Sequence, residues 1–171
     1  MNNTELLTLT NITKSFDGIN VLDDVSATFE AEKITSLIGP NGAGKTTLFN
    51  VITGFLFPNS GKIVFKGKDI ANGIPVWQRA QLGIGRLFQE VRVFEKLTVL
   101  ENLLLAKKEH IGENPLISLC RPFKIRQIEK EYRHDAEKWL NFVGLQDKIN
   151  SNADDLSYGQ QKLLVIARLL M

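Results

Sequence analysis

The sequence has one cysteine, Cys120, in 171 residues. A single thiol excludes an intramolecular disulfide and a cysteine-cluster metal site, and it favours a cytosolic setting. The two histidines, His110 and His134, are far apart and lack the spacing of metal ligands. No Ser/His/Asp or Cys/His set typical of nucleophilic catalysis stands out.

Long apolar runs and a strong net charge are also missing. The longest late apolar run, Leu163 to Ala167, is far too short to span a bilayer, and residues 1–5 lack the features of a signal peptide. The sequence has 21 basic and 19 acidic residues. Its net charge of +2 does not require nucleic acid or a membrane surface as a partner. With 43% apolar residues, the chain is expected to form one soluble globular domain.

The most informative stretch is a glycine-rich segment between two apolar ones. Residues 39–47 read GPNGAGKTT, which fits G-x-x-x-x-G-K-[ST] at every fixed position. The preceding segment Ile34–Ile38 predicts a strand, and the following residues predict a helix that ends near Gly54. Strand, loop and helix in this order predict a phosphate-binding loop rather than a chance glycine-rich turn.

The residue types of this loop suit a nucleotide. Its glycines let backbone N–H groups form a concave anion site at a helix N-terminus, where the helix dipole is positive. Lys45 would reach the β- and γ-phosphates, the Thr46 hydroxyl would ligate Mg²⁺, and Thr47 would contact the α-phosphate side. The predicted nucleotide contacts in the loop are Gly39, Asn41, Gly42, Ala43, Gly44, Lys45, Thr46 and Thr47.

Hydrophobic periodicity and turn residues predict the remaining elements. The predicted strands are Leu6–Ile12, Val21–Phe29, Lys62–Phe65 and Gly83–Gln89. The first two flank an Asp17-Gly18 turn, which indicates an antiparallel module. The predicted helices are Trp77–Leu82, Leu100–Ala106, Lys124–Val143 and Gln161–Met171. Trp77 is expected to be a packing residue.

Two further helix starts carry a capping box, a Ser or Thr followed three residues later by Glu or Gln. Thr98 with Glu101 forms the first and Ser157 with Gln160 the second. The second helix N-terminus, with Gly159 in its first turn, is a further possible anion site. Between the two boxes, residues 109–122 contain glycine and prolines that predict an insertion or a loop between helices.

Taken in order, the loop, Gln89 and the pentapeptide Leu156–Gln160 resemble the ATP-binding subunit of ABC transporters. The resemblance implies an α/β fold of the P-loop NTPase (RecA-like) type, with an N-terminal antiparallel β module and an α-helical signature subdomain. It divides a single domain, 1–171, into a core at 1–88 and a Q-loop with helical subdomain at 89–171. The resemblance is strongest to importers of branched-chain and other hydrophobic amino acids. It rests on the sequence of residues 88–103, on Tyr158 and on the insertion near 107–124.

The resemblance also implies roles for single residues. Phe16 would stack on the nucleotide base, and Gln89 would sense Mg²⁺ or the attacking water and couple ATP to a permease. Ser157 and Gly159 of an opposing subunit, with Gln160 beside them, would contact the γ-phosphate. The implied catalytic residues are Lys45 and Gln89, and the implied metal ligands are Thr46 and Gln89.

The implied cofactors are ATP and Mg²⁺. The implied partners are transmembrane permease subunits, a second ATP-binding subunit that is identical or related, and indirectly an extracytoplasmic solute-binding protein. Nucleic acid is not expected. The implied location is cytoplasmic, at the inner face of the cell membrane.

Two departures from the family pattern affect these expectations. Tyr158 replaces the glycine commonest at its position, and the sequence stops at Met171, before the family's Walker B strand, catalytic glutamate and switch histidine. We therefore expect a chain truncated at its C-terminus that is inactive alone. The alternatives are a non-catalytic nucleotide-binding fragment, an importer cassette for another solute such as urea, and a soluble ABC protein of translation or DNA repair. The near-neutral charge disfavours the last of these.

Overall fold

The structure, a computed structural model, describes residues 5–88, 90–107 and 122–171, without the side chains of 122–125. It separates into two compact units, Met1–Gly85 and Arg86–Met171. Gln89 and nearly all of the predicted insertion at 109–122 lie outside the described residues.

The first unit contains an antiparallel sheet of four strands in the order β2-β1-β3-β4. The strands are β1 (Glu5–Phe16), β2 (Ile19–Glu30), β3 (Ser60–Phe65) and β4 (Lys68–Asp69). The predicted β module is confirmed, and β1 and β2 meet at the predicted Asp17-Gly18 turn. Both turn residues have positive φ, 49° and 83°, the conformation that a tight hairpin of right-handed twist requires.

Helix α1 (Lys45–Thr53) supplies the other side of this unit's core. It ends, as predicted, at Gly54, which has the left-handed conformation with φ of 84°. The buried apolar residues of sheet and helix form one cluster: Leu9, Ile12, Leu22, Leu48, Val51, Ile52, Ile63, Phe65, Ile70 and Ala71.

Two of the predicted strands are wrong. Segment Ile34–Ile38 has no regular structure, and the Ile34 side chain is 100% exposed. The described part of the other segment, residues 83–88, also contains no strand. Strand propensity is realised only where a neighbouring strand accepts the backbone hydrogen bonds, and neither segment pairs with any described strand.

Helix α2 (Val76–Leu82) lies close to the predicted range, but its buried residue is not the expected one. Trp77 is 59% exposed, whereas Arg79 is fully buried. The prediction that Trp77 packs in the core is therefore wrong. Hydrophobicity alone favours burial of the Trp77 indole. In the structure α2 instead directs Arg79 inward, where backbone carbonyl groups accept hydrogen bonds from its guanidinium.

The regular elements in the described part of the second unit are helices. Its helices are α3 (Val99–Leu104), α4 (Pro122–Phe142) and α5 (Tyr158–Leu170), with short 3-10 turns at Gln146–Lys148 and Ala153–Asp155. Their shared core contains Val99, Leu100, Leu103, Ala136, Leu140, Leu145, Ala153, Leu156, Leu164 and Ala167. Among the helices of the described ranges, none is long and apolar enough to cross a membrane.

Candidate nucleotide-binding site

The glycine-rich loop turns by means of glycines in the left-handed conformation. Gly42 and Gly44 have φ of 85° and 78°. Gly44 also lies against β2, because a Cβ there would be 2.6 Å from the Val21 carbonyl oxygen and 3.0 Å from Leu22 Cδ2. Any side chain at position 44 would therefore be strained and would push the loop away from the sheet.

The loop leads into a helix N-terminus that no side chain caps. Gly44 is the N-cap of α1, and the amide of Leu48 makes the first helical hydrogen bond, 2.8 Å long, to its carbonyl. The amides of residues 45–47 therefore come before the helical ladder. No acidic residue lies in this first turn, so the helix itself does not neutralise the positive end of its dipole. This end of α1 suits an anion.

Lys45 is bound to its own loop. Its ammonium donates to the carbonyl oxygens of Gly39 at 2.7 Å and Pro40 at 2.6 Å. Both acceptors are neutral dipoles, and a phosphate oxygen carrying a full charge forms a stronger hydrogen bond with an ammonium. The lysine is thus placed at the loop with contacts that an anionic ligand can replace.

The far end of α1 is anchored by Arg79, a residue that the sequence analysis missed. Its guanidinium donates to the carbonyl oxygens of Val51 at 2.8 Å and Ile52 at 2.9 Å, in the last turn of α1. It also binds the carbonyls of Ala71 and Ile74 at 3.2 and 3.0 Å. A cation at this terminus complements the negative end of the dipole, so α1 is fixed at one end and open at the other.

Nothing in the local sequence identifies Arg79 as buried. Burial lowers the pKa of its guanidinium, yet an arginine remains protonated in proteins and so needs acceptors for its donors. Gly54 lies close to Arg79 in space but not in sequence, since a Cβ at position 54 would lie 2.8 Å from Arg79 Nε.

Phe16 is the last residue of β1, and its ring is 41% exposed. The ammonium of Lys14 lies 5.2 Å from the ring centroid, at cation–π distance. Phe16 pairs with Ile19 at the start of β2, the strand that touches the loop at Gly44. The hairpin that carries this aromatic ring therefore also supports the glycine-rich loop.

The pentapeptide Leu156–Gln160 forms the predicted capping box at the start of α5. The Ser157 hydroxyl accepts from the Gln160 amide at 3.4 Å, and the Gln160 side chain accepts from the Ser157 amide at 2.9 Å. Ser157 and Gly159 are both exposed. A Cβ at Gly159 would meet no atom within 4 Å. Gln160 is thus occupied in holding the cap, and none of the described residues requires a glycine at position 159.

The predicted site residues fall into the two units. The loop and Phe16 belong to the first, and the pentapeptide belongs to the second. Gln89 lies outside the described residues.

The donors at the loop fit Mg²⁺ only together with phosphates. Over the described residues, no group of three or more His, Cys, Asp or Glu side chains could hold a metal. Thr46 is exposed in the first turn of α1 and offers one hydroxyl oxygen. One protein ligand is compatible with Mg²⁺, which keeps several waters and binds substrate phosphates.

Comparison of the sequence with known proteins shows which family this chain resembles. A family model described as "ABC transporter" matches residues 22–171. The branched-chain amino acid transport ATP-binding protein BraF of Pseudomonas aeruginosa is 40% identical over 166 residues, which are 97% of this chain and 65% of BraF. The probable branched-chain amino acid transport ATP-binding protein LivG of Methanocaldococcus jannaschii is 42% identical over 167 residues, or 98% of this chain and 64% of that protein.

Solved structures show the same likeness. A nucleotide-free ATP-binding cassette from an ABC transporter has a TM-score of 0.74 and 41% identity, over 97% of this chain and 64% of that one. The ADP conformation of an ATP-binding cassette has a TM-score of 0.77 and 40% identity over the same shares. The expected α/β fold is thereby confirmed, although the chain spans only about 65% of the length of the curated relatives it matches. From the loop, the capped pentapeptide and these similarities, we conclude that the chain belongs to the ABC transporter family.

Proposed function

We propose that the chain is the ATP-binding part of an ABC importer subunit that hydrolyses ATP to drive uptake of branched-chain amino acids. The observation that carries this proposal is the uncapped N-terminus of α1 with Lys45 held beside it. Identities of about 40% to transport ATP-binding proteins for branched-chain amino acids support this solute over urea and over a role outside transport.

The phosphates of ATP would lie on the amides that begin α1. Lys45 would exchange the carbonyls of Gly39 and Pro40 for phosphate oxygens, and Thr46 would hold Mg²⁺. The metal ion would neutralise the charge that develops on the phosphates during transfer to water. Phe16 would stack on the base with the face of its ring that Lys14 leaves open.

A second subunit would close the site through its pentapeptide. Glycine in the first turn of a helix costs conformational entropy, about 0.5 kcal/mol or more relative to alanine. Because no described residue comes within 4 Å of a Cβ at position 159, this cost would be explained by a group from outside that comes close to the backbone. We assign that group as the γ-phosphate of ATP bound to the partner, contacted by Ser157 and Gly159 and with Gln160 holding the cap.

The partners of such a subunit would be a second ATP-binding subunit, identical or related, and transmembrane permease subunits at the inner face of the membrane. An extracytoplasmic binding protein would select the solute, and nucleic acid would have no role. Gln89 would contact Mg²⁺ or the attacking water and report the ATP state to the permease. The family and the names of the relatives support a role in a transporter complex.

The first test is ATP-Mg²⁺ binding to this chain, measured as a shift in its unfolding temperature. A ligand that binds only the folded state must raise apparent stability, and at about 100 times its Kd the gain is about 2.7 kcal/mol. We expect a shift for the unchanged chain and for Lys62→Ala, an exposed lysine on β3, and none for Lys45→Ala. Equal shifts in all three proteins would refute the loop as the nucleotide site.

A further inference from the structure

Phe94 joins two helices of the second unit. Its backbone is held by the side chain of Asn102 in α3, and its ring is covered by the side chain of Arg168 in α5. Phe94 belongs to a short irregular segment that starts just after Gln89. The segment is therefore connected to both helices through one residue.

Asn102 fixes this segment to α3 through four hydrogen bonds. Its side-chain oxygen accepts from the Phe94 amide at 2.9 Å, and its amide nitrogen donates to the Phe94 carbonyl at 3.0 Å. The same nitrogen reaches the carbonyls of Leu97 at 3.3 Å and Thr98 at 3.0 Å. Asn102 is fully buried, so the side-chain end of these bonds is shielded from water. The position of Phe94 relative to α3 is thereby set.

Arg168 holds the same segment to α5. Its Nη1 donates to the Arg92 carbonyl at 2.9 Å, and its guanidinium lies 5.0 Å from the Phe94 ring centroid. Its Nε is buried without a hydrogen-bond partner among the described residues. A buried donor that stays unpaired is unfavourable. Stability alone does not explain an arginine here, whereas a need to connect the segment to α5 does.

We infer that Arg168 is a positioning residue that transmits movement of residues 90–94 to α5, and so to Ser157 and Gly159 at its other end. Arg168 lies ten residues after Tyr158 in one unbroken helix, a distance of about 15 Å at the rise of an α-helix. Such a helix moves as a rigid body, so a displacement at Arg168 reaches its N-terminus. This inference rests on the proposed function, because it connects the residues next to Gln89 with the pentapeptide that would contact ATP.

The test compares Arg168→Met with the unchanged protein in the assembled transporter. Methionine retains much of the apolar volume but loses the hydrogen bond and the stacked charge. We expect an unchanged or higher unfolding temperature, unchanged basal ATP hydrolysis and at least a fivefold loss of solute transported per ATP hydrolysed. Arg168→Lys, which retains the charge but not the planar group, should recover part of that ratio.

A matched control is Lys138→Met in α4, which removes a cation 5.8 Å from the centroid of the neighbouring Trp139 ring. It should leave the transport ratio unchanged. Equal losses of hydrolysis and transport in Arg168→Met would overturn the inference, because they would indicate a general structural defect. If that variant does not fold, Phe94→Leu keeps the bond to Arg92, removes the ring and should lower the ratio in the same way.

Hydrogen exchange separates this inference from the proposed function, since it needs no ATP. Amides of residues 90–98 should exchange faster in Arg168→Met than in the unchanged protein. Unchanged protection there would overturn the inference even where ATP is hydrolysed normally. Conversely, faster exchange in a protein that fails to bind ATP would support the connection while refuting the ATP-binding assignment on which its functional meaning depends.

Discussion

Arg79 Nη1 donates to the carbonyl oxygen of Val51 at 2.8 Å and so ties α2 to the last turn of α1. The bond also affects the opposite end of α1, where the glycine-rich loop leads into the N-terminus of the helix. A helix fixed at its C-terminus holds its N-terminus at a defined place relative to the sheet. The anion site at Lys45 therefore depends on a charged side chain that does not touch it.

The first prediction concerns this anchor. Arg79→Met should lower the free energy of unfolding by about 3 kcal/mol or more, because four carbonyl groups lose the guanidinium donor and three of these hydrogen bonds are buried. Urea unfolding at equilibrium measures the change. Arg133→Met, which removes an exposed ion pair with Glu137, is the control and should cost about 0.5 kcal/mol or less. Similar small losses in both variants would contradict the anchor role.

The second prediction concerns the hydroxyl at the start of α5. Ser157→Arg should leave ATP binding by single subunits intact and prevent ATP-driven dimerisation, measured by light scattering. Loss of the cap alone costs about 1 kcal/mol of stability, and Ser157→Ala separates that effect from the bulk and charge of arginine. Dimerisation of the arginine variant at normal ATP concentrations would count against a contact between Ser157 and the partner's nucleotide.

The third prediction uses the open space around Gly159. Gly159→Ala should raise the unfolding free energy by about 0.5 kcal/mol, since alanine loses less backbone entropy in a helix. The same change should weaken ATP-driven dimerisation at least tenfold, because the new methyl group blocks close approach of a phosphate. Lys162→Ala, one turn further along α5, serves as the control. A variant that is both more stable and fully able to dimerise would remove the reason for a glycine here.

The fourth prediction concerns pH. The Thr98 amide, at 2.8 Å, and then the Thr98 hydroxyl hold the pKa of Glu101 below its ordinary value. The stabilisation from this carboxylate is therefore present above the unfolded pKa of about 4.3 and is lost as pH falls through the lower folded pKa. Glu101→Gln keeps an acceptor for the cap but cannot titrate. The difference in stability between the two proteins should shrink as pH is lowered from 6 to 3. Thermal unfolding at each pH measures this difference. A constant difference across that range would refute a shifted carboxylate.

Local chemistry explains which elements were predictable. The Asp17-Gly18 turn, the end of α1 at Gly54 and the boxes at Thr98 and Ser157 all formed as expected. Each depends on the allowed φ of one residue or on hydrogen bonds within four residues. The local segment of sequence therefore contains every group that forms the turn or cap. The loop's glycines and Lys45 were predictable for the same reason. The roles of the site residues, Gln89 among them, stay predictions.

Tertiary contacts decided the rest. Ile34–Ile38 has the composition of a strand, but a strand exists only beside another, and none of the described strands pairs with it. The guanidinium of Arg79 is buried because carbonyl groups of the distant residues Val51 and Ile52 converge on it, and no pattern around position 79 records that convergence. Asn102 holds Phe94 across a separation of 8 residues, which is beyond the range of a turn or a cap. The sequence by itself therefore determined the turns, the caps and the glycine-rich loop, whereas only the tertiary structure decided which strands pair and which polar side chains are buried, because their partners lie beyond the range of a turn or a cap.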